Sequence, residues 1–131
     1  PGITTYVFWA PFFLLHTTRD QTNWFNDLNK GPVELPTSGD GEPVIIDMSF
    51  VAEVAKFQVK PALKKLNLPT LIIQGTTDDQ VLLKLTKKAF SLMPQDDNHK
   101  LVEVQNATHD FEEKHLQEFI KETVNWLKIY F

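Results

Sequence analysis

Pro69-Thr70-Leu71-Ile72-Ile73-Gln74-Gly75-Thr76-Thr77-Asp78-Asp79-Gln80-Val81 is the stretch on which the fold turns. Its first half is a short apolar, β-branched run opened by a proline and stopped by a glycine. That pattern suits a strand covered on both faces, as in a parallel sheet. A polar loop follows, and then Leu82, Leu85, Ala89 and Leu92 recur at helical spacing, with Lys84, Lys87 and Lys88 elsewhere. The spacing predicts an amphipathic helix over Val81–Met93, ended by Pro94 and the polar turn Gln95-Asp96-Asp97-Asn98. Lys100-Leu101-Val102-Glu103-Val104 then alternates with period two, as a half-covered strand does. From Glu112 to Phe131, Leu116, Phe119, Ile120, Val124 and Leu127 form one apolar stripe of a long helix. Acidic Glu112 and Glu113 open it, which suits the positive end of a helix dipole.

Upstream, Thr4-Thr5-Tyr6-Val7-Phe8-Trp9-Ala10 is apolar on both faces and closed by Pro11, so it reads as an interior strand. Strand, helix, strand, helix defines an open α/β sheet with right-handed crossovers. The expectation is about three parallel strands with flanking helices. Residues 1–11 and 61–131 form this core, and residues 12–60 form a cap- or lid-type insertion. Within the insertion, Gly31–Leu35 and Pro43–Asp47 flank Ser38-Gly39-Asp40-Gly41 as a hairpin. A short helix over Ser49–Phe57 is capped by Asp47 or Ser49, and Pro61–Leu66 forms another. Phe12, Phe13, Trp24, Phe25, Phe50 and Phe57 make the insertion aromatic. They read either as its own core or as the wall of an apolar pocket.

Composition limits the functions available. The chain has 131 residues, 42% of them hydrophobic and 23% charged, an ordinary globular balance. Net charge is -4 with no basic block, which argues against nucleic acid as partner. The longest apolar stretch, Tyr6–Leu15, is broken by Pro11 and falls short of the roughly 20 residues of a membrane span. With no cysteine, there is no disulfide scaffold and no cysteine-ligated metal centre. The first residue is Pro1, and an interior strand follows almost at once, so the expectation is a piece of a longer fold.

Two loops carry the chemistry, Gly75–Val81 and Asn106-Ala107-Thr108-His109-Asp110-Phe111, each following a strand. Functional groups of open α/β sheets gather outside the carboxyl ends of the strands. Neighbouring strands lie about 4.8 Å apart, so these loops would emerge side by side. A carboxylate at Asp78 could then meet the imidazole of His109. Such a pair fixes the ring tautomer, leaves the second nitrogen as a base and stabilises the imidazolium that forms. Asp79 is the rival acid or a helix cap, and Asp78 could instead be a turn residue bonding local amides. Asp110 reads as a solvated or capping residue rather than a ligand. His16, His99 and His115 have no partner motif; His99 and His115 read as surface residues, and His16 could face a pocket. His109–His115 lacks the His-Glu-x-x-His order of a zinc helix, so no metal is expected.

These residues resemble the α/β-hydrolase superfamily. Pro69–Val81 is similar to its acid-bearing strand and loop, and Asn106–Phe111 to its histidine loop. Tyr6–Pro11 resembles the strand after the nucleophile-bearing helix. The resemblance covers nearly the whole chain but only the second half of that fold, and points to small serine esterases and acyl hydrolases. It implies Asp78 as triad acid, His109 as base, a small-molecule ester or acyl substrate, and no cofactor. The family's Gly-x-Ser-x-Gly elbow is absent. Ser38, Ser49 and Ser91 fall in a predicted turn, a helix start and a helix. The expected place for the elbow is about twenty to forty positions before Pro1, from the size of a βαβ unit. The chain alone is therefore expected to be inactive. Its expected macromolecular partner is the N-terminal half of the same fold, or a second copy pairing through Thr4–Ala10, whose ladder edge would be open.

Overall fold

The computed structural model describes residues 2–11, 13, 28, 30–35, 42–56 and 59–131. Two compact units form, one from Pro1–Leu14 with Val59–Phe131, the other from Leu15–Gln58. His16, Phe12, Trp24, Phe25, Ser38, Phe57 and the Gly39–Gly41 turn lie outside the described residues.

The first unit is a three-stranded parallel sheet between helices. Strands β1 (Tyr6–Trp9), β4 (Thr70–Gly75) and β5 (His99–Val104) run in the order β1-β4-β5. Register runs from Tyr6↔Thr70 to Trp9↔Ile73 and from Thr70↔His99 to Gly75↔Val104. Central β4 is buried along its whole length, as its unbroken apolar run requires. β1 is half-buried and has a ladder partner on one side among the described residues, so the interior position expected for it is an edge here.

Alternation along the strands sends side chains to two cores. Leu71, Ile73 and Val104 meet Phe119 and Trp126 of helix α4 (Glu113–Tyr130). Ile72 meets Leu63 of α2 (Val59–Lys64) and Ala89 of α3 (Leu83–Phe90). Phe13 packs edge-on against Phe8, ring centroids 5.0 Å apart, and joins this second core. In the second unit, β2 (Val33–Leu35) and β3 (Val44–Ile46) pair antiparallel. Helix α1 (Met48–Lys56) begins behind Asp47, whose carboxylate accepts from the Ser49 amide and hydroxyl. Those two bonds hold the Asp47 carboxyl below its ordinary range.

Helix α4 departs from the sequence pattern. Of the anticipated stripe, Phe119 is fully buried, whereas Ile120, Val124 and Leu127 are 40%, 42% and 36% exposed. The buried face is rotated towards Phe119, Thr123 and Trp126. The cause is polar. Trp9 Nε1 donates to Thr123 Oγ1 at 2.8 Å, and Trp126 Nε1 donates to Thr5 Oγ1 at 2.7 Å. Buried indoles need acceptors, and these two set the helix's rotation. On the other side Glu122 accepts from Lys100 of β5 at 2.9 Å. At roughly 100° per residue, Ile120, Val124 and Leu127 continue round the flank that faces past β1.

His99 and His115, read from sequence as surface residues, are buried. His99 opens β5 opposite Thr70, and His115 lies on the sheet-facing side of α4. Helix α3 starts two residues later than expected, at Leu83.

Adjacent residues test the rotation of α4. In urea unfolding of the chain, Phe119→Ala should cost about 3–5 kcal/mol. Ile120→Ser should stay within about 0.5 kcal/mol of wild type. Equal losses would show that the sequence stripe is the buried one.

Candidate active site

Parallel pairing of β4 with β5 brings the two loops to the same rim, beyond the carboxyl ends of both strands. Their backbones are laced together. Thr76 N donates to Val104 O at 3.0 Å, and Thr77 N and Oγ1 both donate to Ala107 O, at 3.1 and 3.0 Å. In return, Asn106 N donates to Thr76 Oγ1 at 2.8 Å.

This lacing requires a residue without a side chain at the end of β4. A Cβ on Gly75 would lie 2.3 Å from the Ala107 carbonyl oxygen and 2.8 Å from its carbon. Backbone on backbone cannot yield as a flexible side chain can. The histidine loop is also bent sharply at both ends: Asn106 has φ 59° and Phe111 φ 49°. Asparagine tolerates the left-handed region. Phe111 is held there by its ring, which packs at 4.4 Å from Phe119 and 5.7 Å from Trp9.

Between these fixed points the acid and the ring meet. His109 Nδ1 lies 3.0 Å from Asp78 Oδ2. The Asp78 side chain is wholly buried, whereas the His109 side chain is 32% exposed. The imidazole lies over Phe111, 6.2 Å between centroids and 29° between planes. Nδ1 is thus turned to the carboxylate on a ring that is partly open to solvent. Asp78 also bonds local amides, since Oδ1 accepts from Gln80 N at 3.0 Å and Val81 N at 2.7 Å. One oxygen of Asp78 thus faces the ring and the other bonds the local amides.

Asp79 and Asp110 are exposed. Asp79 caps no helix, for the N-cap of α3 is Leu82, without a side-chain bond. Ser91 closes α3 at the opposite rim and donates to Lys88 O at 2.8 Å, so it cannot reach His109. Ser49 donates to Asp47 in the second unit. No group of three or more His, Cys, Asp or Glu among the described residues could hold a metal ion, and none of their helices is long and apolar enough to cross a membrane. Sequence reasoning passed over Gln74 and Thr86. Both are buried; Gln74 Nε2 donates to Asp78 Oδ2 at 2.7 Å, and Thr86 Oγ1 donates to Gln74 Oε1 at 3.0 Å. A glutamine closing an otherwise apolar strand was the available signal.

No protein-family model matches the chain, and no curated protein matches it significantly. Among solved structures, 26 chains match. DcsB, solved with a substrate analogue, superposes with TM-score 0.68 at 17% identity over 98% of this chain and 57% of its own. A monoacylglycerol lipase from Paleococcus ferrophilus gives 0.67 at 16% identity, over 95% and 58%. Est1E from Butyrivibrio proteoclasticus, bound to ferulic acid, gives 0.62 at 17%, over 96% and 49%. The chain spans about half the length of these structures, mostly their C-terminal part. It therefore has the fold of the C-terminal part of α/β hydrolases.

The glycine can be tested directly. Gly75→Ala should destabilise the chain by about 1–3 kcal/mol in denaturant, as overpacking does. Gly2→Ala, where nothing lies within 4 Å, should have no measurable effect. A harmless Gly75→Ala would mean that the two loops do not cross as described.

Proposed function

We propose that this chain is the C-terminal portion of a serine hydrolase acting on carboxylic esters or related acyl compounds, in which Asp78 is the triad acid and His109 the base. The observation that carries this reading is the 3.0 Å approach of Asp78 Oδ2 to His109 Nδ1 at the carboxyl rim of a parallel sheet. The fold shared with a monoacylglycerol lipase and with Est1E, which was solved with ferulic acid bound, supports it.

The nucleophile would be a serine on a Gly-x-Ser-x-Gly elbow outside this chain, with oxyanion-hole amides beside it. Its hydroxyl oxygen attacks the ester carbonyl while His109 Nε2 takes the proton. The buried Asp78 carboxylate stabilises the imidazolium through Nδ1. His109 returns the proton to the departing alkoxide, leaving an acyl-serine. Water, deprotonated by the same nitrogen, then attacks the acyl carbonyl, and His109 passes that proton to the serine oxygen as the carboxylic acid leaves. This cycle calls on no metal or organic cofactor. Residues 12–60, inserted in sequence between β1 and the body of the core, are read as a cap- or lid-type insertion.

A second reading, a non-catalytic module that binds its own copy, is favoured by the flank past β1. There a ladder edge of β1 with no partner among the described residues and the exposed Ile120, Val124 and Leu127 lie on the same side of the unit. Open strand edges are templates for pairing. In the first reading this flank receives the nucleophile-bearing part of the fold; in the second it receives another copy.

Two measurements test these readings. Joined to the coding region upstream of it, the chain should hydrolyse short-chain aryl esters, and His109→Ala should remove about 10⁴–10⁶-fold of the turnover; retained turnover would take His109 out of the mechanism. Light scattering of the isolated chain should give masses above its 15.1 kDa that fall when Val124→Lys is introduced. A concentration-independent monomer would dismiss self-association.

A further inference from the structure

We propose that Gln74 and Thr86 are positioning residues for the Asp78–His109 pair, forming a buried relay that fixes the carboxylate before the ring arrives. The proposal rests on reading that pair as acid and base. An ionised carboxylate offers about four lone-pair positions. In Asp78 four donors address them. Oδ1 accepts the amides of Gln80 and Val81, and Oδ2 accepts Gln74 Nε2 at 2.7 Å and faces His109 Nδ1 at 3.0 Å. Three of the four come from the strand and loop that carry Asp78 itself. They set both its place and its rotation, and the remaining position points at His109.

The Gln74 amide has one workable orientation. Its Nε2 also donates to Val81 O at 3.1 Å, while its Oε1 accepts from Thr86 Oγ1 at 3.0 Å. Turned over, the amide oxygen would face a carboxylate and a carbonyl with no hydrogen between them. Gln74 is 0% and Thr86 1% exposed, so bulk solvent does not reach either side chain. Thr86 sits on α3, and the relay therefore ties the rotation of that helix to the acid loop. The chemistry of the donor matters as well. A lysine or arginine at position 74 would neutralise Asp78 and weaken its hold on a developing imidazolium. A neutral amide donates without cancelling the charge.

The relay can be tested on the isolated chain through the ring it serves. Long-range proton–nitrogen spectra of ¹⁵N-labelled protein report which His109 nitrogen carries the proton in the neutral ring. The expected wild-type form is Nδ1–H. Gln74→Met and Thr86→Val keep size and lose the hydrogen bonds; each should lower the Nδ1–H to Nε2–H ratio at least about threefold, the bond at stake being worth on the order of 1 kcal/mol. Thr86→Ser restores a hydroxyl and should restore the ratio, which simple core filling would not do. An unchanged ratio in Thr86→Val, or a Thr86→Ser no better than Thr86→Val, would overturn the proposal even if Gln74→Met failed to fold. A wild-type ring that is Nε2–H and indifferent to Asp78→Asn would instead remove the acid–base pair itself.

Discussion

Everything at the candidate site depends on one close passage, the Ala107 carbonyl crossing where a side chain on Gly75 would stand. Because that space is empty, the backbone after β5 can lie on the backbone after β4 and bond to it. Thr77 supplies both its amide and its hydroxyl to the same carbonyl. The loops are thereby tied to each other, and the two side chains they carry meet at 3.0 Å. Main-chain contacts of this kind cost little further entropy, since the strands beneath have already fixed the residues that make them.

Support for the ring comes from the opposite face of the sheet to the support for the acid. Behind His109 stand Phe111, Phe119 and Trp9, a set of edge-on aromatic contacts shared by the histidine loop, α4 and β1. Behind Asp78 stand Gln74 and Thr86, on β4 and α3. Carboxylate and imidazole are thus held by different layers and meet over the rim. The wholly buried carboxylate keeps its charge away from water, while the partly open imidazole keeps a nitrogen available.

Much of this was legible in the sequence because it depends on local pattern. The Pro69–Gln74 run marks a central strand whatever surrounds it. Gly75 followed by Asp78, and a histidine in a loop after the next strand, give the rim its chemistry. The hairpin at Val33–Leu35 and Val44–Ile46 follows from two extended runs about a polar turn. What the pattern could not reveal depends on distant partners. Hydrophobicity alone places Val124 inside and Thr123 outside, yet Trp9 needs the threonine hydroxyl and turns the helix. His99 and His115 are buried by the strand and helix faces they occupy, and no neighbouring residue in sequence signals that. Thr86 likewise takes its place from a residue on another element, Gln74 of β4, twelve positions away in sequence.

The most direct test of the central claim is a double-mutant cycle between Asp78→Asn and His109→Gln, read by urea unfolding of the chain. A formed and partly buried pair predicts a coupling energy of about 0.5–3 kcal/mol. Additive losses, with coupling indistinguishable from zero, would mean that the carboxylate and the ring do not interact in solution.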